Sequence, residues 1–192
     1  MKHTKTIKEF CESMIKYLGS GYIDYKIVSI PSKKAHRSHE ILKKVSEHYK
    51  TNISRGKRQY RRKLGKANYS AVCFKNTIVV LRTSGTNEDG ADEFKEFKKS
   101  LRVELSEWLT LVFFINERKR LTVRLDRLTY RRIREDFFIA IKNGNGRDYN
   151  FLKSSWHNLP HYKGIGVQGS ELHRFIKKKL SQFGRNWKGL FS

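Results

Sequence analysis

The spacing of hydrophobic positions along this chain changes several times, and the changes divide it into elements. Ile7, Phe10, Cys11, Met14, Ile15 and Leu18 recur three and four residues apart, as on an amphipathic helix. Thr6 and Glu9 stand at capping-box spacing at its start, and Gly19-Ser20-Gly21 ends it. Residues 22–30 read as a strand rich in β-branched and aromatic side chains, stopped by Pro31, and Leu42, Val45 and Tyr49 restore helical spacing over 33–50. The β-rich runs 69–75 and 77–83 are so close together that an antiparallel hairpin turning at Asn76 is expected, followed by a loop over 84–90. Phe94, Phe97, Leu101, Leu105 and Trp108 fit a helix over 92–108, with strand alternation over 101–105 as the competing pattern.

Beyond this, 109–115 is a continuous apolar run and 121–127 alternates strictly, so Asn116 to Arg120 forms the tip of a second hairpin. Helical patterns follow at 129–142, 148–157 and 170–183, the last with Gly184 as its stop. The simplest assembly of these elements is an α+β fold on a ferredoxin-like plan. It has a mainly antiparallel four- to five-stranded sheet, helices on one face and the other face open, an N-terminal helix and appended C-terminal helices. Residues 1–142 are then an α+β core carrying a basic insertion at 54–66. Residues 143–192, beginning at the glycine-rich Asn143 to Gly146, form a helical segment packed on that core.

Charge changes the picture most. The chain has 42 Lys and Arg against 18 Asp and Glu, a formal +24 on 192 residues. Such self-repulsion is relieved by a polyanion, and nucleic acid is the polyanion that suits charge spread along a whole chain. With 38% hydrophobic and 12% aromatic residues the chain has material for a core, which separates it from disordered polycations. Cys11 and Cys73 are too few and too far apart for a disulfide framework or a cysteine zinc site, so no metal or cofactor is expected. The N-terminus leads into an amphipathic helix rather than a secretion signal, and no run reaches the length of a membrane span. The expectation is a cytoplasmic protein with no membrane partner.

Three basic clusters stand out. The sharpest is Ser54 to Lys66, where Arg55, Lys57, Arg58, Arg61, Arg62, Lys63 and Lys66 surround Tyr60 without one acidic residue. As a helix it has almost no apolar face, so its order is expected to depend on a neutralising ligand, and charge reversal at Arg55, Arg58, Arg61 and Arg62 is expected to weaken binding without unfolding. The second runs through Arg118, Lys119, Arg120, Arg124, Arg127, Arg131, Arg132 and Arg134. Arginine dominates there, and its planar guanidinium bridges phosphate oxygens or stacks on a base. The third comprises Arg174, Lys177, Lys178, Lys179, Arg185 and Lys188, with Trp187 and Phe191 expected to close over the core. Acidic residues concentrate at Glu88, Asp89, Asp92, Glu93, Glu96, Glu104 and Glu107, a face that nucleic acid avoids. Their spacing matches no metal-dependent nuclease, and acids enriched at a helix N-terminus explain them more simply.

Signals for catalysis are weaker. Single-strand nicking enzymes that use a tyrosine and a metal held by a His-hydrophobic-His strand need a motif this chain lacks. His157 and His161, with Lys163, offer an acid and a base for metal-free RNA cleavage, although Pro160 lies between them. Gly164-Ile165-Gly166-Val167-Gln168-Gly169 spells G-x-G-x-x-G outside a βαβ context and reads as a flexible loop ahead of a helix beginning at Ser170. The favoured reading is a non-catalytic nucleic-acid-binding protein, a ribonucleoprotein component that takes structured or single-stranded RNA. A DNA-binding protein of a replication system or mobile genetic element, and an RNase or toxin using His157 and His161, are the alternatives.

Overall fold

Two sheets, not one, hold the strands. A computed structural model describes residues 2–86 and 92–190, and over these the chain is an α+β fold. Its elements are β1 (Lys2–Thr4), α1 (Ile7–Gly19), β2 (Tyr22–Ser29), a 3-10 turn (Ser32–Arg37), α2 (Ser38–His48), α3 (Arg55–Lys63), β3 (Tyr69–Phe74), β4 (Thr77–Thr83), β5 (Lys95–Glu96), β6 (Ser100–Ser106), β7 (Leu109–Ile115), β8 (Leu121–Leu125), α4 (Arg127–Lys142), α5 (Gly146–His157) and α6 (Lys163–Gln182). The first sheet has the order β1-β3-β4-β2-β5 and the second is the meander β6-β7-β8. This departs from the ferredoxin-like plan. All pairings are antiparallel except that of β1 with β3, and β1 is a strand too short to leave a periodicity in the sequence.

The expected helix over 92–108 is strand instead. Leu101, Val103 and Leu105 are buried while Arg102 and Glu104 are exposed, so period two decides the segment. The helical match arose from Phe94, which packs on the far side of the first sheet, and from Trp108, which stands exposed on the turn between β6 and β7.

At β3 and β4 the first sheet is covered on both faces, whereas β6 of the second keeps one exposed face at Arg102 and Glu104. Val72, Phe74, Val79 and Leu81 face the main core, and Ala71, Cys73, Ile78 and Val80 face a second cluster closed by Ile30, Leu42 and Tyr49. Near-continuous hydrophobic runs are the mark of a sheet covered on both sides, and 69–74 and 77–81, interrupted only by Ser70 and Thr77, carry it. The hairpin between them turns as expected, with Phe74 opposite Thr77 and Lys75 at φ 50°.

The main core lies between the sheets, and α1 is its wedge. Thr6 caps the helix by accepting the Glu9 N–H at 3.1 Å, while the Glu9 carboxylate accepts from Lys5 N–H at 2.9 Å. From α1 the Phe10 ring reaches Phe74 of the first sheet and Phe113 of the second, each at 6.1 Å between centroids. Burying one such ring contributes about 2–3 kcal/mol. Tyr149, Trp156, Ile165, Leu172, Ile176 and Leu180 of α5 and α6 complete the same core.

The G-x-G-x-x-G segment is not a flexible loop. It forms the first turns of α6, which starts at Lys163 rather than Ser170. Gly164 is buried against β8: a Cβ there would lie 2.4 Å from the Val123 carbonyl oxygen. Glycine is a poor helix former, and here that penalty is offset by the close approach of helix to strand. Gly164→Ala is therefore expected to destabilise the protein by about 2–3 kcal/mol in urea unfolding. Gly166→Ala, where a Cβ meets open space, is expected to be neutral or stabilising by about 0.5–1 kcal/mol.

Candidate nucleic-acid interface

The basic segment 54–66 is ordered by its own arginines. Ser54 caps α3 by accepting the Lys57 N–H at 3.3 Å. Arg58 turns inward, with Nη1 donating to the Tyr69 carbonyl at 2.7 Å, the Tyr22 hydroxyl at 2.9 Å and Ser70 Oγ at 3.1 Å, and Nη2 to the Thr51 carbonyl at 2.5 Å. One turn on, Arg61 donates from Nε and Nη2 to the Ala67 carbonyl. The ligand-dependent order expected from the sequence is thus replaced by guanidinium anchoring: a helix with no apolar stripe docks through two side chains that satisfy backbone acceptors. Arg55, Lys57, Tyr60, Arg62 and Lys63 remain exposed, while Lys66 is half-buried.

Five members of the second cluster, Arg118, Arg124, Arg127, Arg131 and Arg134, border depressions beside α6. Arg118, Lys119 and Arg120 stand exposed at the β7–β8 tip, where Lys119 has φ 54° and Asn116 Oδ1 accepts the Arg120 N–H at 2.9 Å. Between this tip and the start of α6 lies a recess of about 530 Å³ bordered by Arg118, Arg124 and Lys163. A groove of about 610 Å³ between α4 and α6 is bordered by Arg127, Arg131, Arg134 and Lys179. Tyr130 borders both. Its hydroxyl donates to the Gln168 carbonyl at 3.0 Å, and burial, with Glu171 nearby, pushes its phenol up to about 12, so it stays a neutral donor. From Lys163 to Lys179 the path follows roughly 24 Å of helix, about seven base steps of a duplex. Seven cationic side chains against Glu117, Glu135 and Glu171 border it.

Several of these cations are stacked. Arg124 lies over Phe114 at 4.9 Å, Arg134 over Phe175 at 4.5 Å and Lys179 over Phe138 at 5.1 Å. Arg131 pairs with Glu135 at 3.0 Å, an exposed contact worth little. Arg132 points away from the groove, toward Trp108 and the Glu107 carbonyl. Sequence reading grouped these arginines by proximity along the chain. It missed Tyr130, Phe138 and Phe175, whose helical spacing reads as core.

The C-terminal cluster divides. Lys177 and Lys178 are exposed, whereas Arg185 donates to the Ile141 carbonyl at 3.4 Å and lies near Trp187. Trp187 packs on Tyr149 at 5.2 Å, over the core as expected, while Phe191 lies outside the described residues. The tail is strapped along α5: Tyr149, Lys153 and His157, four residues apart, donate in turn to the carbonyls of Lys188, Gly189 and Leu190 at 2.7, 2.7 and 2.9 Å. His157, His161 and Lys163 do border one recess, of about 190 Å³, but His157 Nε2 is engaged by the tail.

Of the acidic residues, Glu88 and Asp89 lie outside the described residues. Asp92 accepts from Lys26 Nζ at 2.5 Å, Tyr49 Oη at 2.6 Å and His48 Nε2 at 3.1 Å, and these donors hold its carboxyl well below the usual carboxylate range. It ties the segment before β5 to α2 and β2. Among the described residues no group of three or more His, Cys, Asp and Glu is placed to hold a metal ion, and no helix is long and apolar enough to cross a membrane.

Comparisons with protein-family models, with curated proteins and with solved structures returned no match.

The two roles within α3 are separable. Arg58→Ala removes four hydrogen bonds that the guanidinium makes to Thr51, Tyr69, Tyr22 and Ser70, and is expected to cost about 2–4 kcal/mol in urea unfolding. Lysine cannot restore contacts made by a guanidinium fork. The triple change Arg55→Glu, Arg62→Glu and Lys63→Glu is expected to leave the unfolding midpoint close to that of the parent chain while weakening nucleic-acid binding at least about tenfold in fluorescence anisotropy.

Proposed function

We propose that this protein binds nucleic acid without altering it chemically, and that its partner is RNA in preference to DNA, held as one component of a ribonucleoprotein. The observation that carries the reading is the path from the β7–β8 tip along α6, where Arg118, Arg124, Lys163, Arg127, Arg131, Arg134 and Lys179 border two joined depressions. Cations lined up over such a length displace condensed counterions from a phosphate backbone, which supplies most of the affinity of a non-specific complex and much of that of a specific one. The exposed side of α3 adds a second basic surface. Guanidinium groups resting on aromatic rings present flat donor arrays suited to phosphates and to bases that are out of the stack, the form in which RNA loops and single strands are read. The sequence holds no zinc-finger or helix-turn-helix spacing for reading a DNA major groove.

The test is direct competition among a structured RNA, a single-stranded RNA and a DNA duplex for the purified protein, followed by anisotropy at two salt concentrations. RNA is expected to displace DNA. If six to ten phosphates are neutralised, affinity falls about 10³- to 10⁵-fold between about 50 and 200 mM salt. The variant Arg118→Glu, Arg127→Glu, Arg131→Glu is expected to bind at least about tenfold more weakly with an unchanged melting curve. Preferential capture of DNA moves the protein to a replication or mobile-element role, and salt-independent binding overturns the electrostatic reading altogether.

A further inference from the structure

Trp108 is the most exposed of the three tryptophans and has no structural task that accounts for it. It occupies the two-residue turn between Ser106 of β6 and Leu109 of β7 and is 69% exposed, whereas Trp156 is buried and Trp187 half-buried. Tight turns select Gly, Asn, Asp, Ser or Pro for backbone reasons, and an indole meets none of them. The turn is held without the ring, by the Trp108 N–H donating to Ser106 Oγ at 3.3 Å.

The ring's surroundings are specific. The Arg132 guanidinium lies 4.9 Å from its centroid and is fixed there by donating from Nη1 to the Glu107 carbonyl at 3.1 Å. One face of the indole is thereby backed by a cation while the side chain stays largely in solvent. Arg132 belongs to α4, the helix whose Arg127, Arg131 and Arg134 border the groove. Leu128, exposed one helical turn before Arg132, adds apolar surface beside it.

We propose that Trp108 with Arg132 is a stacking platform for an unpaired base of a nucleic acid whose backbone lies along α4, so that the ligand carries a single-stranded segment. The inference rests on the nucleic-acid reading and adds to it the form of the ligand. A nucleotide joins a flat π-surface to a phosphate, and the platform joins a flat π-surface to a guanidinium edge. A base within a duplex is already stacked on both sides and has no face to offer. A second strongly basic surface is repelled by the charge around the ring.

Tryptophan emission reads the contact. The protein is titrated with a short oligouridylate, with an abasic phosphodiester of equal length and with a duplex. The Trp108→Phe variant supplies the contribution of Trp156 and Trp187. The oligouridylate is expected to quench the Trp108 emission, and the abasic strand and duplex to bind without quenching it. Trp108→Ala, at an exposed turn, is expected to keep its far-UV spectrum and melting curve and to bind the oligouridylate roughly 5- to 150-fold more weakly, with abasic affinity unchanged. Unquenched emission, or unchanged oligouridylate affinity in Trp108→Ala while the groove variant has lost it, overturns the platform and leaves the nucleic-acid reading standing. Loss of self-association in Trp108→Ala with unchanged oligonucleotide affinity assigns the ring to a contact between copies and also overturns it. If no nucleic acid binds even at low salt, both readings fall together.

Discussion

The structure depends on one helix being able to face two sheets at once. Phe10 of α1 packs against both Phe74 and Phe113, and Cys11, Met14 and Leu18 extend the same buried stripe. Without that wedge the two sheets share little that would hold them together, since β5 is only two residues long and ends the first sheet before β6 begins the second. The environment is dry enough that burial pushes the Cys11 thiol up to about 12 and that of Cys73, behind the first sheet, to about 11. Because α6 packs on β8, and α4 on α6, segments forty residues apart in the chain come to border the same depressions. The basic depressions are a product of the core.

A chain this basic also uses positive charge internally. Arg82 donates to Asp24 at 2.8 Å across paired strands, both side chains largely buried, and stacks on Phe94 at 4.5 Å. Arg58, Arg61, Arg185 and Lys153 donate to main-chain carbonyls. The formal +24 therefore overstates the charge presented outward. A basic cluster in the sequence does not say which of its side chains face outward; the direction of each one decides that.

Legibility followed the strength of local signals. The α1 stripe, the hairpin turning at residues 75 and 76, and the tip at Asn116 to Arg120 were readable because period and turn chemistry agree there. The division into two sheets was not, since strand pairing is a long-range choice. Between 92 and 108, Phe94 and Trp108 imitated a helical face although one lies behind the first sheet and the other faces solvent. Gly164 masked the start of α6, because a glycine needed for close packing looks like one needed for a loop, and Gly166, which packs against nothing, strengthened the loop signal. Within α3 the composition was right and its meaning was not: Arg58 and Arg61 do the anchoring that apolar residues do elsewhere.

The stacked pairs carry a consequence for entropy. Arg124 on Phe114, Arg132 on Trp108, Arg134 on Phe175 and Lys179 on Phe138 are long side chains each resting on a ring. Immobilising a flexible side chain on association costs about 0.5–1.5 kcal/mol, and a ring contact made on folding lowers that cost. On the proposed function, a phosphate arriving there would meet donors that need little further ordering.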